Sequence, residues 1–436
     1  MKSFNDRKVG ERVRGAKAVI AGVLLALAGA GSAAAQDVGV QFARDRNITV
    51  LGRDRPEYDA LGLREGDFTI YPRLTVGVSG DDNVLAANDD KKADVYGSAL
   101  GYVSVQSNWD HNSLSGFARI GRDQYAEQSS EDKNTYGFGS AGQYDLSPDA
   151  AIAASAAYEH LVEPRTYEGA PASIGRPVRY DQTSFTLSGA QAFDRYRVRA
   201  SVDYEHYVYF DTIDNTGAPL SQTFRDNDEI LGKVRAEDAI SPNTSVFFEV
   251  VSDTRNYRVG PSTPASFDRN SQGEQFNGGI NFDLTHLARG ELNVGYLHQV
   301  SADPRIPDYN GPVANTQVQF FPSSLTTVTL NVNRLLGESG EPQTPILVST
   351  GAVAKVDHEL LRNLILSANI GFTYDTYPGL ERKDDRFSTG ASGYYLVSRN
   401  LGLKLDYSFQ QLRSSGPQSP AAYDINRISL SAILQY

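Results

Sequence analysis

AYDINRISLSAILQY, residues 422–436, decides the fold. Ile428, Leu430, Ala432, Leu434 and Tyr436 alternate with Arg427, Ser429, Ser431 and Gln435. A repeat of two is a β-strand, because successive side chains point to opposite faces. One face is apolar and the other polar, so the strand separates two environments. It runs to the aromatic Tyr436 rather than into a turn. That is expected of the last strand of a transmembrane barrel, which must close against the first. The expected fold is therefore all-β: a single antiparallel transmembrane barrel over residues 67–436.

Composition agrees. Mean hydropathy is −0.39, too polar for a bundle of membrane helices. A barrel tolerates it because only every second residue meets lipid. Tyr (24) and Phe (19) far outnumber Trp (1) and Met (1), which suits strands bordered by aromatic girdles. Cysteine is absent, excluding thiol nucleophiles, disulfides, cysteine-ligated metals and a lipidated cysteine. A formal charge of −12 and no basic stripe argue against nucleic acid.

The chain opens on a basic stretch (Lys2, Arg7, Lys8, Arg12, Arg14, Lys17), an apolar run from Ala18 to Gly31 and the small residues Ala33-Ala34-Ala35. Residues 1–35 thus read as a secretory signal. Residues 36–66 are polar without sustained periodicity, a periplasmic lead-in or a plug. From Phe68 onward, strands are separated by two alternating kinds of turn. The tight ones include WDHN (109–112), DLSPD (145–149), Asp194-Arg195, ISPN (240–243), THLAR (285–289), PSS (322–324), LLRN (360–363) and SRN (398–400). Long ones include GDDNVLAANDDKK (80–92), EPRTYEGAPASIGRP (163–177), DTIDNTGAP (211–219) and SADPRIPDYNGP (301–312). Short periplasmic turns and long extracellular loops are the asymmetry of an outer-membrane barrel. Counting both kinds predicts about eighteen strands, with sixteen as the alternative, and Phe68–Ser79 as the partner of the last strand.

Alternation assigns the faces. Around residues 196–210, Tyr196, Val198, Ala200, Val202, Tyr204, Val208 and Phe210 are outward, and Arg197, Arg199, Ser201, Asp203 and Glu205 inward. A lipid-facing charge costs about 2–4 kcal/mol at mid-depth, so the charged faces are expected to line a wet interior. The pore-lining candidates are Arg119, Arg197, Arg199, Asp203, Glu205, Arg235, Glu249, Asp253, Arg255, Lys404, Asp406 and Arg427. Both signs occur, so no single-sign selectivity ring is evident. Phe117, Tyr125, Tyr207, Tyr209, Tyr257 and Tyr394 share the inward phase, and a ladder of such rings would suit a saccharide track.

Two acid–histidine neighbours, Glu159-His160 and Glu205-His206, lie near the long-loop ends of strands. Adjacent strand residues face opposite ways, so neither pair can cooperate in catalysis, and His206 reads as a girdle residue. Asp81-Asp82-Asn83 and Asp89-Asp90 read as a solvated acidic loop rather than a calcium site. No enzyme activity, cofactor or metal is expected.

RDRPEYDALGLREGDFTIYPRLTVGVSGDDNV, residues 53–84, resembles the opening of the putative β-barrel porin 2 family of Gram-negative bacteria. The likeness is carried by Arg-Pro-Glu-Tyr at 55–58, Gly62, Phe-x-x-x-Pro at 68–72 and Asp-Asp-Asn-Val at 81–84. PSSLTTVTLNVNRLLGES at 322–339 is similar to a later family strand. The resemblance implies an outer-membrane barrel, and an association with export of exopolysaccharide or capsule. It carries over no catalytic motif. The expected function is an export porin for a surface polysaccharide. A general diffusion porin for small hydrophilic solutes, or a structural barrel with a closed pore, are the alternatives. The expected partners are outer-membrane lipids and lipopolysaccharide, the assembly machinery reading Tyr436 as its signal, and a separate periplasmic polysaccharide-export protein.

Overall fold

The computed structural model describes residues 48–169, 174–261, 266–284, 287–342 and 344–436. The expected signal segment, the first part of the lead-in (36–47), and Thr285 and His286 lie outside them.

Eighteen long antiparallel strands form one closed barrel. In chain order they are β1 (Phe68–Asp81), β2 (Asp94–Ser107), β3 (Ser113–Tyr125), β4 (Lys133–Ser147), β5 (Ala150–Glu163), β6 (Val178–Phe193), β7 (Tyr196–Tyr209), β8 (Asn227–Ser241) and β9 (Thr244–Tyr257). β10 (Ser271–Leu284), β11 (Ala288–Ser301), β12 (Tyr309–Ser323), β13 (Thr326–Glu338), β14 (Ile346–Leu361), β15 (Leu364–Thr376), β16 (Lys383–Leu396), β17 (Leu401–Ser415) and β18 (Tyr423–Gln435) complete the ring. Each strand pairs with its chain neighbours, and the ring closes between β1 and β18, from Arg73 opposite Gln435 to Asp81 opposite Arg427. The expected strand number and closing pair are both present.

Closure leaves no unpaired strand edge, as backbone in lipid requires. Each strand has 13 to 16 residues, more than the roughly 9–11 that cross the hydrocarbon. Both rims therefore project beyond it. Register shifts at Asp145/Ser147, Ala239/Ser241, Phe320/Ser323 and Glu359/Leu361 all sit beside short turns. A bulge there twists the strand into its turn without disturbing the paired wall.

Side-chain exposure follows the alternation. Val76 and Val78 on β1, Phe185 and Leu187 on β6, Val202 on β7 and Leu430 on β18 are exposed outward. Ser79, Gln182, Arg197, Glu237, Glu249 and Asp283 are buried within the ring. An apolar outside around a polar inside is the inverse of a soluble protein, and is stable only where lipid covers the outside.

The segment from Ile48 follows the short-turn rim. The Val50 amide donates to Thr327 Oγ1 (3.0 Å), Arg55 pairs with Glu359 (2.8 Å), Arg399 Nε donates to the Pro56 carbonyl (3.0 Å), and Gln435 Nε2 reaches the Tyr58 carbonyl (3.4 Å). A three-residue strand, Leu63–Glu65, then folds back on the start of β1.

Candidate functional site in the barrel lumen

The inner wall is built from charges that neutralise one another. Glu237 on β8 has a fully buried side chain and receives three guanidinium groups: Arg197 at 2.5 Å, Arg235 at 2.9 Å and Arg199 at 3.0 Å. Arg235 also reaches Glu291 (2.7 Å) and lies 3.5 Å from the centre of the Phe247 ring. Around the rest of the wall, Arg119 pairs with Glu159 (2.7 Å), Lys404 with Asp406 (2.7 Å) and Arg427 with Asp81 (2.7 Å). Arg255 stands 3.6 Å from Glu229 and 3.7 Å from Asp253. Asn277 donates to Glu249 (2.8 Å), Thr186 to Asp203 (2.7 Å), and Gln182 (3.1 Å) and Tyr207 to Glu205. Mixed charges on the inward phase could set a transverse field or pair across strands to stiffen the wall. Many are withdrawn into ion pairs, some between strands in register and others within or beyond a strand pair.

The long-loop end is organised around Arg225, whose side chain is fully buried. It lies in the loop between β7 and β8. It bonds Glu163 at the end of β5 (2.7 Å) and Glu338 at the end of β13 (3.1 Å), and sits 4.0 Å from the centre of the Tyr209 ring. Tyr209 in turn donates to Glu338 (2.8 Å). Burial opposes the Arg225 charge, but Glu163 and Glu338 outweigh it and hold its pKa well above the ordinary value. Arg269, from the β9–β10 loop, donates to the carbonyls of Ser339 (2.6 Å) and Glu341 (2.8 Å). Arg382, from the β15–β16 loop, bonds Glu341 (2.8 Å) and Asp384 (2.7 Å).

One loop crosses the lumen. Residues 164–169 leave β5 and reach the opposite side of the ring. The Thr166 carbonyl accepts from Arg386 on β16 (3.0 Å), and Glu168 accepts from Ser349 on β14 (3.4 Å). The Gly169 carbonyl accepts from the Gly340 amide (2.9 Å). Gly169 has φ +79°, and a Cβ there would stand 2.8 Å from the Glu338 carbonyl, so the contact needs glycine. Arg165 anchors the near side on Glu131 (2.7 Å). Burial, then the neighbouring Asp375 carboxylate, push the Glu168 pKa above its ordinary value.

The returning loop residue Ile174 covers part of the inward aromatic set. Tyr180, Tyr207 and Tyr209 stack with ring centres 5.3–6.4 Å apart and pack with Ile174 and Val178. Tyr125 stacks on Tyr96 (4.5 Å), Phe117 on Tyr102 (6.3 Å), and Tyr257 lies beneath the Arg269 guanidinium (5.0 Å). Tyr394 packs separately, over Gly402. The inward rings form several groups, not one ladder. Sequence reasoning missed Arg225, Glu163, Glu338, Arg269, Arg382 and the loop crossing. Its only signal was an arginine beside an aromatic in each of three loops: Arg165-Thr-Tyr167, Phe224-Arg225 and Phe267-Asp-Arg269.

The acid–histidine neighbours behave as their alternation requires. Glu159 and Glu205 face inward, and their histidines face out. The partners of His160 and His206 are carboxylates on the next strand, Asp181 and Asp228. Among the described residues no group of three or more acidic or histidine side chains could hold a metal ion.

Several solved structures share the barrel at low identity. A BenF-like porin from Pseudomonas fluorescens Pf-5 is 9% identical, with a TM-score of 0.46, covering 85% of this chain and 99% of that one. Pseudomonas aeruginosa OpdO is 11% identical, with a TM-score of 0.45 over 85% and 97%. A ferric enterobactin receptor mutant from Pseudomonas aeruginosa is 7% identical, with a TM-score of 0.45 over 84% and 80%. No curated protein matches. Putative beta-barrel porin 2 matches residues 55–436, and the chain belongs to that family as an outer-membrane, porin-like β-barrel channel.

Proposed function

We propose that the barrel exports a surface polysaccharide, exopolysaccharide or capsule, as a hydrated chain through its lumen. The observation supporting this reading is the inner wall, whose charges are largely held in ion pairs and hydrogen bonds, with tyrosines stacked at its long-loop end. A wall of paired charges offers hydroxyl groups many weak hydrogen bonds and no strong trap. A moving polymer needs that balance to slide without stopping. Tyr180, Tyr207 and Tyr209 are covered while Ile174 packs on them, so their faces would meet sugar rings only once that cover withdraws. Residues 164–169 then act as the gate, since a polymer would leave only when they withdraw from β14 and β16. The segment along the short-turn rim is where a separate periplasmic export protein would meet the barrel.

The crossing loop favours a second reading as well. By dividing the lumen it would leave passages suited to small hydrophilic solutes, making the barrel a diffusion porin. Deleting the gene decides between them. Export predicts loss of surface polysaccharide with small-solute uptake unchanged. Normal polysaccharide with slowed uptake would establish the diffusion porin. Single-channel recording of the refolded barrel separates both from a structural barrel, which would not conduct.

A further inference from the structure

The sequence Tyr-Glu-His occurs twice, at 158–160 on β5 and 204–206 on β7. The fold uses both copies in the same way. In each, glutamate faces the lumen, while tyrosine and histidine face out and share one aspartate on the next strand. Tyr158 donates to Asp181 Oδ2 (2.8 Å), with His160 Nδ1 2.6 Å from Asp181 Oδ1. Tyr204 donates to Asp228 Oδ1 (2.7 Å), with His206 Nδ1 3.0 Å from the same oxygen.

The two sets are continuous. β6 stands between them, with Asp181 opposite His160 and Thr183 opposite both Tyr158 and His206. They make one outward strip across β5–β8, within a few residues of the long-loop rim. An outward carboxylate at this depth is costly unless paired; each accepts from a tyrosine hydroxyl, Asp181 also bonds His160, and His206 stands beside Asp228 without hydrogen-bond geometry. With Nδ1 on the Asp181 carboxylate, His160 keeps Nε2 as its second ring nitrogen.

Arginines border the strip. Arg258 bonds Asp228 (3.0 Å) with half of its side chain still exposed, and exposed Arg179 lies 5.7 Å from the Phe210 ring centre. Phe210 meets His160 edge-on (5.7 Å), and Tyr136 stacks on its face (4.9 Å). Directly below, toward the membrane centre, the same strands expose Phe185, Leu187, Val202 and Ile230. Cationic groups and ring faces above an apolar wall match an amphiphile with an anionic, sugar-containing head. A free anion would leave the apolar half unused.

We propose that this strip binds the phosphorylated glycolipid of the leaflet at the long-loop rim. Arg179, Arg258 and the two histidines take the phosphates, and Tyr136 and Phe210 border the sugar. The test uses the full-length barrel purified in mild detergent and titrated with deep-rough lipopolysaccharide, with bound lipid followed by native mass spectrometry. Arg179→Gln/Arg258→Gln, both at exposed positions, is expected to weaken binding at least tenfold. Dephosphorylated lipopolysaccharide should bind the unaltered barrel as weakly. His160→Asn/His206→Asn should weaken binding in the same titration. Heat-modifiable gel mobility establishes that each variant is folded, and the arginine pair decides if the histidine pair is not. Equal binding by the folded arginine variant would overturn the proposal. So would equal competition by phosphatidylglycerol vesicles, which would assign the strip to phospholipid, or by inorganic phosphate, which would make it an anion site only.

Discussion

Glu237 concentrates the energetics of the inner wall in one residue. Three arginines converge on a carboxylate that has no contact with solvent. Removing one member of a buried ionic cluster costs about 3–5 kcal/mol, because the remaining charges lose their counter-charge but not their burial. Glu237→Gln is expected to destabilise the barrel by that amount in urea unfolding from liposomes, and to shift the reversal potential toward anions. Unchanged stability would mean that water already screens the cluster. Lys92–Asp90 is the contrasting case, an ion pair at a similar distance (2.8 Å) on an exposed loop. Lys92→Ala should cost no more than about 0–1 kcal/mol in the same assay.

Loop 164–177 sets behaviour at the scale of the element. Its far end is held by three hydrogen bonds, to β14, to β16 and to the loop between β13 and β14. Few contacts on one end of a long loop imply local opening at much lower cost than unfolding the wall. Thr166→Cys with Arg386→Cys, in a chain that has no other cysteine, bridged by a bis-methanethiosulfonate long enough to replace the arginine side chain, should lower single-channel conductance and restore it on reduction. Conductance insensitive to redox state would show that the crossing does not obstruct the pore. Glu168 adds a pH dependence. Its pKa is raised when docked, through burial and Asp375, with Arg386 and Ser349 acting in the opposite direction. The docked loop therefore favours protonated Glu168. Docking strengthens as pH falls through the raised pKa, and the gain is complete below the ordinary value of 4.5. Conductance should fall on acidification over that range, and Glu168→Gln should remove this part of the response.

At the scale of the whole molecule, the wall is secured by closure between β1 and β18. The Tyr436 amide donates to the Pro72 carbonyl (3.2 Å), and its ring stands exposed on the outer face. Deleting Tyr436 removes an interfacial aromatic at the seam. It should reduce the level of folded, membrane-inserted barrel, read from heat-modifiable gel mobility of outer-membrane fractions. Undiminished levels would show that the rest of β18 suffices for assembly.

By itself the sequence determined the wall. Residues 427–436 and 196–210 alternate with period two, turn chemistry separates the strands, and short and long turns take turns along the chain. Those signals are local, and in an antiparallel barrel each strand pairs with its chain neighbours, so local order settles the topology. The inward phase of Arg197, Arg199 and Arg235 was legible for the same reason. Only the tertiary structure decided what those side chains meet. Glu237 gathers arginines from two strands, Asp181 and Asp228 reach histidines on neighbouring strands, and Arg225 joins the ends of β5 and β13. Such contacts depend on register and on loops folding inward, and neither leaves a period in the sequence. The lumen crossing at Thr166, Glu168 and Gly169 is the extreme case. It joins residues about 170 to 220 positions apart, which become neighbours only once the ring has closed.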